Sequence, residues 1–264
     1  MKSISGTIAL AIKLGPKLLS FGVKLLKSAK GVQVGLGVVS FGAYTLMFSW
    51  QFAVMILTLL IVHEYGHLWA MKRNGMKVKG MYMIPFIVAA AVPDEDFPSR
   101  KIETYCAMMG PIFGGVLSIL VLGVWYLMGW PHFAAAAAWM ATVNLFNLLP
   151  INPLDGGRIF KSISFSIHSK LGLLFMIFGL IFSALLIFFA GLWLFMLLLV
   201  IGTIEFLIEY RWPNLQRKSS AASMTHREIV FAGASYVFLA IVLYLVIIQG
   251  TTIGGAGNPI ELFS

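Results

Sequence analysis

From about residue 33 onward the chain is a series of long apolar runs separated by short polar breaks. Runs at 33–48, 51–72, 105–129, 133–151, 171–189, 191–209 and 229–249 approach or exceed the roughly 20 residues that a helix needs to cross about 30 Å of hydrocarbon. None shows the two-residue alternation of a membrane barrel strand. The pattern predicts an all-α polytopic membrane protein with about seven transmembrane helices. One apolar stretch breaks the series: residues 80–92 (GMYMIPFIVAAAV) are too few to cross, are interrupted by Pro85 and are followed closely by PDEDFP. A short re-entrant or β-hairpin segment is expected there, because irregular backbone inside a membrane must be covered by protein or water.

Residues 1–30 follow a different period. At 100° per residue Lys13, Lys17, Lys24 and Lys27 share one face, while Ile12, Leu19, Val23 and Leu26 lie mainly on the other. The lysines within the apolar part and the lack of a clear small-residue cleavage site argue against a signal peptide. The expected organisation is a basic amphipathic helix over 1–30 lying on the cytoplasmic leaflet, followed by one integral membrane domain over 31–264. Residues 209–227 form the main polar loop, and Thr225 with Glu228 makes a capping box that opens the last span.

Composition sharpens the class and removes one alternative. The chain is 59% hydrophobic and 11% charged, far from the balance of a soluble domain. A net charge of +9 would suit a nucleic-acid partner, but its distribution does not. With the N-terminus cytoplasmic, every Lys and Arg falls in 1–30, 72–101, 158–170 or 211–227, on one side of seven spans, which is the positive-inside pattern. The basic residues therefore read as topology, with the C-terminus on the opposite side and the lipid bilayer, not nucleic acid, as partner. The lone Cys106 excludes an internal disulfide and reads as a small packing residue.

Ionisable side chains within such spans need an explanation. The stretch 62–68 reads VHEYGHL. On a helix His63 and His67 project from one face, one turn apart, at a spacing suited to a shared Zn²⁺. Glu64 lies beside them as a general base, the HExxH arrangement. Burial in lipid weakens an accidental reading, since charged groups there cost several kcal/mol. Catalytic zinc usually has three protein ligands and one open position. His132, His168 and His226 fall at span ends or in loops and read as interface residues, whereas Asp155 in NLFNLLPINPLDGGRIF lies at the same cytoplasmic side as His67. The expected site is His63, His67 and Asp155 around one zinc per chain, roughly 8–14 Å from Lys72 at 1.5 Å rise per residue.

HEYGH followed by NLLPINPLDGG resembles the site-2 protease family of intramembrane zinc metalloproteases. Asn152, Pro153, Leu154, Asp155 and Gly156 match its NPxDG form, Asn147, Pro150 and Leu154 fit the longer one, and GPIFGG at 110–115 is similar to its glycine-rich helix start. The resemblance covers roughly residues 50–165 and implies regulated intramembrane proteolysis of transmembrane protein substrates. Asn144, Asn147 and Asn152 are candidates for holding substrate or ligands, with interhelical hydrogen bonding the competing role for Asn144. Residues 80–92 could offer a strand edge to unwound substrate or act as a structural plug. Glu205 and Glu209 read as water-binding or as partners of Arg158 or Arg211, with gating as the minor alternative.

An inactive relative that sequesters membrane helices is the alternative function, disfavoured by the intact His63, Glu64, His67 and Asp155. A transporter is poorly supported, because no paired broken helices occur in corresponding halves. Compactness favours a prokaryotic plasma membrane.

Overall fold

The computed structural model of the chain describes residues 29–84, 88–191, 194–211 and 222–253. Among them are helices α1 (Ala29–Met47), α2 (Trp50–Arg73), α3 (Arg100–Met128), α4 (Pro131–Asn147), α5 (Asp155–Ile167), α6 (Ser169–Ala190), α7 (Leu194–Arg211) and α8 (His226–Ile253). Two strands, β1 (Val78–Ile84) and β2 (Val88–Pro93), lie between α2 and α3. The helix expected over 1–30 lies outside the described residues except for its last two positions, which open α1. Most of the 209–227 loop and the side chains of Glu205 and Glu209 also lie outside them.

A helix overlaps each of the seven expected runs, but the described helices do not establish seven spans. Four are long and apolar enough to cross a membrane: Trp50–Arg73, Arg100–Met128, Ser169–Phe189 and His226–Thr252. The apolar part of α1 is shorter, α4 has 17 residues, and α7 carries Glu205, Glu209 and Arg211 within its 18.

Local signals set the helix ends. Ser49 and Ser99 adopt extended backbone and their hydroxyls accept from Phe52 N–H and Ile102 N–H, each at 3.2 Å, so both N-termini are capped. Pro131 opens α4, where its missing N–H has no cost. Gly129 closes α3 at φ 72°, the left-handed conformation that glycine adopts without strain. The capping box before α8 forms as expected: Thr225 N–H donates to Glu228 Oε2 at 2.9 Å and Glu228 N–H to Thr225 Oγ1 at 3.4 Å.

The short apolar stretch is the expected hairpin. β1 and β2 pair antiparallel, with Met81 opposite Ala91 and Ile84 opposite Val88, and the register shifts between Val78 and Gly80. Gly80 sits at φ 130°, and the Gln33 amide of α1 occupies the space a side chain would need.

α3 is the central helix, packed against α2, α4, α5 and α8. Small residues make this closeness possible. The alanines at 134–138 of α4 are all buried, and a methyl group at Gly250 of α8 would strike the Ala134 carbonyl.

One element was not foreseen. Residues 158–170 read as a cytoplasmic loop, but Asp155–Ile167 forms the helix α5. Its buried face is Asp155, Gly156, Gly157, Ile159 and Ser162, which is too small and polar to register as an apolar run. The two glycines let it fold back onto the preceding turn, since a methyl group on Gly156 would overlap the Leu148 carbonyl and one on Gly157 the Ile151–Asn152 peptide.

Candidate metal centre

His63, Glu64 and His67 lie on the buried face of α2, which also presents Leu59, Gly66 and Ala70. The 3.6-residue period brings His63 and His67 together, and the turn at 148–154 delivers Asp155 from the start of α5. The Tyr236 hydroxyl of α8 donates to the Leu148 carbonyl, holding that turn in place. All four residues are buried, with His63 3% exposed, Glu64 and His67 5% and Asp155 7%.

Three side-chain atoms converge on one point. His63 Nε2 is 3.0 Å and His67 Nε2 3.3 Å from Asp155 Oδ2, and the two Nε2 atoms are 3.1 Å apart. The surrounding hydrogen bonds assign the tautomers. Asn144 Nδ2 donates to the Met140 carbonyl at 2.8 Å, which turns its Oδ1 toward His63 Nδ1, also at 2.8 Å. The Cys106 carbonyl, able only to accept, is 2.7 Å from His67 Nδ1. Both imidazoles therefore carry hydrogen on Nδ1, and both Nε2 lone pairs face the carboxylate oxygen. Three acceptors this close repel one another unless a cation lies among them. The donor set, two imidazoles and a carboxylate each oriented by an outer partner, fits zinc.

The glycines of α3 make room for this group. A methyl at Gly110 would overlap His67 Nε2 and come within 2.7 Å of His63 Nε2, and one at Gly114 would strike the Asn144 amide. In turn, Gly66 of α2 faces the Met109 carbonyl with no space for a side chain. The GPIFGG stretch thus packs directly against the candidate ligands.

Glu64 stands apart from the three converging atoms. Its Oε2 accepts from the Ala91 N–H of β2 at 2.7 Å. Ala91 pairs with Met81 in the sheet yet turns this N–H outward, so the free edge of β2 faces α2.

Of the three candidate asparagines, Asn144 joins the site. Asn147 ends α4 half-buried, with no side-chain hydrogen bond among the described residues. Asn152 lines a small cavity with Phe175, Met176, Gly179, Leu180 and Gly202, which includes none of the three converging residues. His168 caps α6, its Nδ1 accepting from Lys170 N–H at 3.1 Å. Two contributors had no sequence signal, the Cys106 carbonyl and the Ala91 N–H, because any residue type supplies a backbone group.

Asn144→Leu keeps the γ-branched shape but leaves the His63 Nδ1–H unpaired in a buried site, a cost of roughly 1–3 kcal/mol. Metal affinity is expected to fall about 10- to 100-fold, with recovery in Asn144→Asp, which keeps the acceptor. Competition with a chromophoric zinc chelator measures both.

Comparison with known proteins places this geometry in a class. The sequence model of Peptidase family M50 matches residues 51–130 and 126–186, and the chain belongs to that family. The resemblance to site-2 proteases is thereby confirmed, with four membrane-length apolar helices beside it. Putative zinc metalloprotease Rip3 of Mycobacterium tuberculosis is 33% identical over 137 residues, 46% of this chain and 34% of that protein. Zinc metalloprotease MJ0392 of Methanocaldococcus jannaschii is 25% identical over 115 residues, 42% of this chain and 33% of that protein. The match thus spans about a third of the length of these curated relatives.

Proposed function

We propose that this chain is an intramembrane zinc endopeptidase that hydrolyses peptide bonds within or near the transmembrane segments of other membrane proteins. The observation that carries the proposal is the convergence of His63, His67 and Asp155 within a buried site, with Glu64 beside it. His63, His67 and Asp155 would hold one Zn²⁺ per chain. When bound, zinc supplies a Lewis acid that lowers the pKa of a water to around 7 and polarises a carbonyl.

The chain's own residues account for the remaining tasks. Asn144 and the Cys106 carbonyl hold the two imidazoles in the tautomer that presents Nε2. Glu64, with Oε2 fixed by Ala91 N–H, has its other oxygen available to take a proton from the attacking water and return it to the departing amine. Burial excludes bulk water and strengthens each of these interactions.

A helical peptide bond is shielded by its own hydrogen bonds, so the substrate must unwind before it is cut. The outer edge of β2 meets Glu64 at Ala91, and we adopt the strand-edge reading of the hairpin, with the Ala91 N–H kept by Glu64 and the rest of the edge left for substrate. An extended segment paired there would pass the general base. The proposal includes the seven-span topology with a cytoplasmic N-terminus, in a prokaryotic plasma membrane.

The test uses purified protein in detergent, incubated with a panel of single-span substrates. Cleavage is expected with zinc present, to disappear after chelation and to return when zinc is restored. Zinc-loaded protein that cuts nothing, in detergent or in native membranes, would instead indicate a relative that only sequesters helices.

A further inference from the structure

Arg158 holds none of the converging atoms of the candidate metal centre, yet it is linked to that centre through α5 and through Phe97. It lies one helical turn after Asp155 on α5, half-buried. Its guanidinium sits over the ring of Phe97, 5.6 Å from the centroid. Phe97 lies in the segment joining β2 to α3 and packs on the cluster that contains Ala70, Cys106 and Ala91. Ala70 is one turn beyond His67, the Cys106 carbonyl holds His67, and the Ala91 N–H holds Glu64. Arg158 therefore stands where the end of β2, the start of α5 and the candidate metal centre meet.

A half-buried guanidinium over an aromatic ring still has N–H donors suited to bidentate pairing with a carboxylate. Among the described residues Arg158 forms no ion pair. Glu103, on the stretch of α3 facing α5, instead accepts from the Ser162 hydroxyl at 2.7 Å. A planar, weakly hydrated cation one turn from Asp155, with no carboxylate partner among the described residues, fits a carboxylate brought by a peptide.

We propose that Arg158 is the carboxylate-binding residue of the peptide site, set at the meeting point of β2, α5 and the Phe97 segment. The carboxylate has two sources, an acidic side chain near the cut or the C-terminal carboxylate that hydrolysis leaves on the N-terminal product. This inference rests on the peptidase reading, and the experiment separates the two.

The full zinc-loaded chain in detergent is compared with Arg158→Gln and Arg158→Lys, each checked for zinc content and monodispersity. Two peptide pairs are the probes: an apolar product peptide with a free C-terminal carboxylate or a carboxamide, and a single-span substrate with Asp or Asn near the cut. If the product carboxylate is the source, wild type binds the acid about tenfold more tightly than the amide, one charge-assisted contact's worth of about 1.4 kcal/mol. If the side chain is the source, the Asp substrate has a KM about tenfold below that of the Asn substrate at similar kcat. In either case the preference disappears in Arg158→Gln and partly survives in Arg158→Lys, which keeps the charge but not the fork.

The proposal is overturned if wild type shows neither preference, or if Arg158→Gln retains it. It is also overturned if Glu103→Gln or Glu205→Gln abolishes the preference as fully as Arg158→Gln, since Arg158 would then serve an internal ion pair. An Arg158-dependent acid preference in binding, without cleavage of any substrate, would uphold the carboxylate site and refute the peptidase reading.

Discussion

Glu64→Gln is expected to keep about one zinc per chain and to lose cleavage by roughly 10²- to 10⁴-fold, the usual contribution of a positioned general base. The substitution is nearly isosteric, and the glutamine carbonyl can still accept the Ala91 N–H that Glu64 Oε2 accepts at 2.7 Å. The hairpin therefore stays docked, and the three converging atoms of His63, His67 and Asp155 are untouched. What disappears is the carboxylate's capacity to hold a proton between the attacking water and the leaving amine. Cleavage of a single-span substrate, measured beside zinc content on the same sample, checks the split. Loss of zinc together with cleavage would mean that Glu64 holds the metal.

Asp155→Ala is expected to produce the opposite pattern, with metal and activity lost together. Asp155 Oδ2 is the atom that both Nε2 atoms approach, at 3.0 and 3.3 Å. Without it the two imidazoles, 3.1 Å apart, would have only each other across the site. Zinc affinity is expected to fall by more than about 100-fold, beyond the loss typical for an outer partner. Competition against a chelator of known affinity measures it. Asp155→Asn, which keeps the volume and one oxygen but not the charge, is expected to fall between Asp155→Ala and wild type.

The cluster of His63, His67 and Asp155 was legible in the sequence because it depends on side-chain identity and helical spacing. His63 and His67 share a face on any α-helix, and Asp155 was the carboxylate expected on the same side of the membrane. The hairpin was legible because residues 80–92 are apolar yet too few to cross. What escaped was encoded in backbone groups and in small residues. The Ala91 N–H and the Cys106 carbonyl have no residue-type signature, and α5 buries glycines and serine, not an apolar stripe. Gly110 and Gly114 stood out only as part of GPIFGG, and what they pack against depends on the tertiary approach of α3. Asn147, taken up for its place in a motif, does not reach the site with a hydrogen bond among the described residues, whereas Asn144, for which helix packing was an equal reading, orients His63.

The measurement closest to the central claim is zinc stoichiometry with X-ray absorption at the zinc edge on the purified, folded protein. About one zinc per chain is expected, with two imidazole nitrogens at about 2.0–2.1 Å and oxygen filling the remaining positions. A well-folded sample that takes up no zinc, or whose zinc remains with unchanged coordination when His63 and His67 are replaced by alanine, would contradict the account.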